Sequence, residues 1–418
     1  MKKYLLLIIA LLVQTEPLHA ASSLSLEEAL AAALKNHPQI VEAKENLSGA
    51  EARTGQALAG YYPQISVAAD WSRGRTFLTA LEAIRTTEVH TDALYLKQTI
   101  YDFGRTAGAV EASRSNRDAV DKALAITRQD VTLRVKSAFY LLLAAEKQVE
   151  ATGETAKARE AVHRQALEFF KQGIRAKVDA ARAEANLFAA RTSLIRAQNN
   201  RDIARVELAN AMGIASLGDY SLHEPALVPA ALPDGEQAYR AALANRAELQ
   251  QLSDLKSSAE AGLKTARGSY LPVFSGTAAV GYADRDFPPK GKVWALGLNL
   301  TMPLFSGFSS LEQVREASAN INAASARQDN FRLQIGKEVQ SAWLSVNEAT
   351  ARIASTEMEV AAAGENRALA EGRYHEGVGS IIEVTDAQSL ALEAQTAHIQ
   401  ARYDYYTALA RLDRTMGI

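Results

Sequence analysis

The chain is written twice. A shift of 209 residues lays Leu34, Asn36, Ala50, Glu51, Ala52, Tyr61, Pro63 and Ser66 on Leu243, Asn245, Ala259, Glu260, Ala261, Tyr270, Pro272 and Ser275. A shift of 204 lays Val135, Ser137, Ala138, Gly173, Met212, Gly213 and Ile214 on Val339, Ser341, Ala342, Gly377, Met416, Gly417 and Ile418. The second half is therefore shorter by one connection between Ser275 and Val339. Units this long are not the short stacked repeats of a solenoid. They read as two halves of a pseudo-symmetric assembly: a first repeat over residues 21–233, with an inter-repeat linker at about 215–233, and a second over 234–418.

The first twenty residues set the expected compartment. Lys2 and Lys3 precede an apolar run from Tyr4 to Val13, and Leu18-His19-Ala20 ends the segment, with Ala21 as the expected new N-terminus. Residues 1–20 read as a cleaved secretory signal, and length argues against the alternative of a retained membrane anchor. With no cysteine in the chain, disulfides, thiolate metal sites and lipid attachment at a leading cysteine are all excluded, so no lipoprotein is expected. A formal net charge of -2 gives no reason to expect nucleic acid as a partner. Beyond the leader no apolar run approaches the roughly 18 residues of a membrane helix. Strands of a closed barrel remain open as a route into a membrane.

Proline placement separates the elements. Pro38, Pro63, Pro225, Pro229, Pro233, Pro272, Pro288, Pro289 and Pro303 leave 64–224 and 304–418 free for long helices, and both tracts are rich in good helix formers. Ser25 with Glu28 fits a capping box, as do Asp234 and Gln237 at the start of the second repeat. Val131, Val135, Ala138, Phe139 and Leu142 form an apolar stripe, with Arg134, Lys136 and Lys147 on other faces. A helix from Thr106 to about Glu150 would reach roughly 65 Å, too long for a compact sphere and suited to a bundle or a barrel of coiled-coil helices.

Four segments change period from helical to alternating. They lie at about 64–72, 93–101, 273–283 and 294–304. Ile65, Val67, Ala69 and Trp71 alternate with Ser66, Ala68, Asp70 and Ser72; Trp294, Leu296, Leu298, Leu300 and Met302 alternate with Ala295, Gly297, Asn299 and Thr301. Gln98 interrupts the apolar face of its strand. The expected hairpin loops run from about Arg73 to Thr91 and from Asp284 to Val293. Tyr61, Tyr62, Trp71, Tyr270 and Trp294 near the strand ends suit a membrane-interface belt, with an ordinary core as the alternative. Each run has about the length of a tilted membrane strand, but four strands cannot close a barrel, so closure calls for several chains.

The sequence resembles the TolC family of outer-membrane efflux channels. The likeness is carried by Tyr-Asp-Phe-Gly at 101–104, Pro-Leu-Phe-Ser-Gly at 303–307 and Arg-Tyr-His-Glu-Gly at 373–377, running on to Glu383, Asp386 and Ala387. It covers the whole chain after the leader. The resemblance implies a mainly α protein with membrane β-structure: a homotrimer whose chains each give four strands to a twelve-stranded barrel, continuous with a long periplasmic α-helical barrel. It further implies outer-membrane location in a Gram-negative cell, a periplasmic adaptor of the membrane fusion type, and an inner-membrane pump of RND, ABC or MFS type. Substrates would be drugs, metal ions, small molecules or polypeptides, moved without catalysis or cofactor.

The same resemblance assigns roles at the periplasmic tip. Gly173, Gly377 and Gly379 mark helix breaks; Glu383 and Asp386, with Asp179 from the first repeat, line a constriction. Two of these acids stand three apart and share one helix face. Tyr374 occupies a gate-tyrosine position. A basic residue expected shortly after the glycine is replaced by Gly379, so Arg175 or Arg182 becomes the candidate latch cation for Asp179. The plainer alternatives are solvated acids on an ordinary helix and basic residues facing the adaptor. Histidines at 37, 90, 163, 223, 375 and 398 form no metal or catalytic spacing, and no enzyme motif is present. The rival class is a non-conducting trimeric tether or adhesin with a barrel anchor.

Overall fold

The computed structural model describes residues 23–78, 82–218, 220–224 and 232–418. The leader with Ala20 and Ala21, and Pro225 and Pro229 of the linker, lie outside the described residues. The chain divides into two compact units. One comprises the segments up to Ala33, Arg134–Ala230 and Thr356–Tyr403; the other comprises Leu34–Leu133, Ala231–Ser355 and Asp404–Ile418.

The first unit begins with a short strand, β1 (Ser23–Leu24), and helix α1 (Leu26–Asn36). The capping box at its start is formed: the Glu28 N–H donates to Ser25 Oγ at 3.2 Å, and the Ser25 N–H donates to Glu28 Oε2 at 2.8 Å. β1 pairs in parallel with β4 (Ser221–Leu222), before which come α3 (Arg105–Lys171) and α4 (Lys177–Met212), elements introduced below with their partners.

The second unit holds α2 (Pro38–Leu58), β2 (Gln64–Leu78), β3 (Ala83–Tyr101), α5 (Gly235–Asn245), α6 (Ala247–Gly268), β5 (Val273–Asp284) and β6 (Gly291–Thr301). At α5 the expected capping box does not form: Asp234 is the N-cap but makes no side-chain bond to the helix. Its carboxylate can still favour the helix end through the dipole alone.

Both repeats end in the same helices. α3 and α7 (Ser309–His375) have 67 residues each, about 100 Å at 1.5 Å per residue, and α4 and α8 (Ile381–Met416) have 36 each. α3 outruns the expected end near Glu150 because no proline interrupts it and its stop, the left-handed Gly173, comes only after Lys171; the Thr152 and Thr155 hydroxyls return to the Gln148 and Ala151 carbonyls of their own helix. Val131, Val135, Phe139 and Leu142 of the stripe are buried. The Met-Gly-Ile endings are helix stops. Gly213 and Gly417 sit at φ 74° and 80°, and the N–H groups of Ile214 and Ile418 donate back to Ala209 and Asp413.

The strands form one antiparallel sheet in the order β2-β3-β5-β6. The hairpin registers reproduce the sequence repeat residue by residue: Ile65 opposite Leu96 becomes, under the shifts of 209 and 204, Phe274 opposite Leu300. The five-residue deletion therefore lies between β5 and β6. The first hairpin corrects an expectation. No loop runs from Arg73 to Thr91; the ladder continues through Arg73 opposite Glu88 to Leu78 opposite Ala83. Polar side chains suggested a loop there, but the ladder is made by the backbone, and β-branched Thr76, Ile84, Thr86, Thr87 and Val89 suit extended chain. β6 ends at Thr301, ahead of Pro303, which has no N–H to give the ladder.

Register sorts the sheet into two unlike faces. Ile65, Val67, Trp71, Leu94, Leu96, Val280, Trp294, Leu296, Leu298 and Leu300 share one; Ser66, Asp70, Tyr95, Lys97, Thr277, Gly297 and Asn299 share the other. The apolar face is uncovered, with Trp294 80 %, Leu296 78 % and Val67 77 % exposed. Gln98 has a purpose at its odd position: its amide donates to the carbonyl of Tyr61 at 3.1 Å, fixing the strand to the end of the α2 segment. Arg105, at the start of α3, ties the first repeat to the end of α6, donating to the carbonyls of Gly268, Ser269 and Leu271.

Candidate functional site

Two helix reversals of the first unit, α3 into α4 and α7 into α8, make up the candidate site. Each turns on a left-handed glycine, Gly173 at φ 73° and Gly377 at φ 77°. In the first, the Ile174 and Arg175 N–H groups both donate to the Phe169 carbonyl; in the second, those of Val378 and Gly379 both donate to Arg373. Gly379 is demanded by space, since a Cβ there would stand 2.8 Å from the Tyr374 nitrogen.

Arg175 and Gly379 are equivalent positions of the two repeats, and the structure joins them. The Arg175 guanidinium donates to the carbonyls of Gly377 at 2.8 Å and Gly379 at 2.6 Å, locking one reversal to the other. Charge-assisted bonds of this kind are about twice as strong as neutral ones. Arg175 is thereby turned onto backbone oxygens and not onto Asp179. Arg182 is exposed, Asp179 half-buried, and Glu383 and Asp386 exposed.

Tyr374 is enclosed, at 1 % exposure, by Ala166, Ala183, Ala370, Ile381, Val384 and Ala387, with its ring edge-on to Phe169 at 5.9 Å. Its hydroxyl is buried without a hydrogen-bond partner among the described residues. Burial pushes the phenol pKa up, the nearby Asp179 carboxylate adds to that, and Arg175 opposes it.

Sequence reasoning missed four side chains here. Arg373 pairs with Glu383 at 3.1 Å, so that acid has a cation on its own chain. Asn186 donates to Thr385 Oγ1 at 3.0 Å, and Arg159 donates to the Asn186 carbonyl at 3.3 Å and to Ser389 Oγ at 2.9 Å. Burial pushes the Arg159 pKa down. Buried Gln388 donates to Glu371 Oε1 at 2.8 Å. Gln388 carried a signal: it is a polar residue on the buried line of Val384 and Ala391, where an apolar one would suffice. Arg373 stood within the motif at 373–377 without showing its partner, and Asn186 and Arg159, which join separate helices, left no signal. Among the described residues no group of side chains could hold a metal ion, and no helix is long and apolar enough to cross a membrane.

Two helix reversals and two β-hairpins, one of each per repeat, with the hairpins joined in one sheet that has a bare apolar face, define an architecture of paired repeats. The chain belongs to the outer membrane efflux protein family, whose pattern it matches over residues 29–214 and 238–418. It is 24 % identical to the outer membrane protein TolC of Salmonella enteritidis over 403 residues, covering 91 % of this chain and 79 % of the relative. It is likewise 24 % identical to the alkaline protease secretion protein AprF of Pseudomonas aeruginosa, covering 95 % and 85 %. Its fold matches the CmeC outer membrane channel of Campylobacter jejuni with a TM-score of 0.84 at 20 % identity, over 94 % of this chain and 85 % of that one. The family is one of channels, not enzymes, and the relatives are outer membrane proteins.

Proposed function

We propose that this protein is the exit duct of an efflux pump or type I secretion system. Three copies would each give four strands to one twelve-stranded outer-membrane barrel, and their long helices would line a periplasmic passage that meets an adaptor and an inner-membrane pump. A leader at residues 1–20 would direct export. The observation that carries the reading is the sheet: its uncovered face is apolar, its other face polar or small, and both its outer edges are open within the chain. Apolar surface of that extent is stable against lipid tails, while open edges there are not. A tether would need the barrel anchor but not a polar inner face on every strand. Planar-bilayer recording of the purified protein tests the proposal: unit steps of conductance are expected, and inserted protein that never conducts would favour the tether.

At the tip, Glu383, Asp386 and Asp179 are proposed to line the constriction, with Tyr374 as a gate residue. Arg175, bonded to the carbonyls of Gly377 and Gly379, is proposed as a staple between the two reversals, and Arg182 as the latch cation for Asp179. Arg175→Ala removes two bonds and is expected to raise single-channel conductance. Arg175→Lys, whose ammonium lacks the planar fork, is expected to fall between the two. Equal conductance in all three proteins would rule the staple out.

A further inference from the structure

The start of the second repeat forms a pocket for which the first repeat lacks the residues. It has a volume of about 410 Å³ and lies within the second unit, lined by Asp234, Gly235 and Tyr239 at the start of α5 and by Gly336, Gln340 and Trp343 of α7. That volume is in the range of small-ligand sites. Two glycines keep it open. Neither has a positive φ, and an added Cβ would meet only Trp343 at 3.9 Å from position 235 and only Tyr239 at 3.7 Å from position 336. Those are ordinary contact distances, so neither backbone conformation nor packing demands glycine, although Gly336 weakens the helix it sits in relative to alanine. Under the shifts of 209 and 204 the six positions become Ser25, Leu26, Leu30, Thr132, Lys136 and Phe139. There a leucine and a threonine replace the glycines, a lysine replaces Gln340, and the acid is gone.

We propose that this pocket binds a free organic cation with a quaternary ammonium head, held by the rings of Tyr239 and Trp343 and by the Asp234 carboxylate. Among the described residues that line the pocket, Asp234 carries the one charge, and its side chain makes no bond to the helix it caps. Trp343 is fixed beside it, because the indole N–H donates at 3.1 Å to the carbonyl of Pro233, the residue before Asp234. Aromatic faces attract an organic cation, and a carboxylate adjoining them adds its charge. The class of head follows from the acceptors. A guanidinium brings five donors and a primary ammonium three, whereas the pocket offers the Asp234 carboxylate, the Gln340 amide and the Tyr239 hydroxyl. A quaternary ammonium has no N–H to satisfy. The chain does not fill the role itself: Arg240 of α5 is paired with Glu236 at 3.2 Å, and linker residues 225–231, Pro-Ala-Leu-Val-Pro-Ala-Ala, include no basic side chain.

The chain has three tryptophans, and Trp71 and Trp294 are exposed, so Trp71→Phe with Trp294→Phe leaves Trp343 as the one indole. The full-length protein with those two changes is titrated in detergent with choline and, separately, with 3,3-dimethylbutan-1-ol, which has the same shape without the charge. Trp343 fluorescence reads the site. Saturable quenching by choline is expected, with an affinity about tenfold or more above that of the alcohol. Asp234→Asn keeps a good N-cap residue and removes the charge, so it should weaken choline about tenfold and leave the alcohol unchanged. Gly336→Leu, which puts a side chain into the pocket, should abolish both responses. Should that variant fail to fold, Gly336→Ala, which fits the space and favours the helix, is expected to melt higher than the parent and bind choline more weakly. Equal affinity for choline and the alcohol, an unchanged choline affinity in D234N, or no saturable response in the parent protein would each overturn the cation site.

Discussion

Replacing Arg246 with alanine is expected to lower stability by about 3–5 kcal/mol, the cost of leaving buried charge unpaired. Arg246 joins α5 to α6 and is only 5 % exposed. It donates to Glu248 at 3.0 Å and to Glu338, and its guanidinium lies over the Phe331 ring. Arg414 binds the same Glu248 at 2.5 Å and Asp130 at 2.8 Å, so residues from α3, α6, α7 and α8 meet in one network of the second unit. The two arginines outweigh the effect of burial and hold the Glu248 carboxyl down to about 2 from 4.5. A depressed acid contributes stability that is complete above 4.5 and lost as pH falls through 4.5 toward 2. With Glu248 only 16 % exposed, the loss is on the order of 3 kcal/mol. Urea midpoints at pH 7 and pH 3 read both effects. The wild-type protein should weaken on acidification, and R246A should be weaker at pH 7 and less sensitive to acid. An R246A midpoint equal to wild type at pH 7 would show that the network carries no stability.

Neutralising Asp386 is expected to cost the pore more of its cation preference than neutralising Glu383. The two acids stand three apart on α8, but Arg373 offsets Glu383, and the structure gives Asp386 no such partner among the described residues. If three copies surround one opening, D386A should reduce the preference for cations over anions by about tenfold, the lower end of what a cleft of one sign produces. E383A should change it little, and Arg373→Ala should increase it by releasing Glu383. Reversal potentials in a salt gradient separate these outcomes. A larger effect from E383A than from D386A would contradict this assignment of charges.

The repeat made much of the architecture legible. It implied two hairpins in matching places, and the observed ladders follow its shifts exactly as numbered, because residues that alternate apolar and polar can pair in one parity only. The glycine breaks were readable because a left-handed helix end favours one residue type. What sequence left out was made by side chains that meet across helices. Arg373 was visible within its motif, but its pairing with Glu383 depends on the reversal between them. Arg246 reads as an ordinary surface arginine until four segments close on it. The upper hairpin was misread for the opposite reason: Arg73, Arg75, Arg85 and Glu88 looked like loop, yet a backbone ladder needs no apolar side chain.

The most direct test of the central claim is the mass of the intact protein extracted from its membrane in mild detergent, read by native mass spectrometry. Three chains, each of at most 45.1 kDa, are the expected result. A single chain, stable in water without detergent, would contradict the account, since a four-stranded sheet with one bare apolar face and two open edges would then have to exist alone.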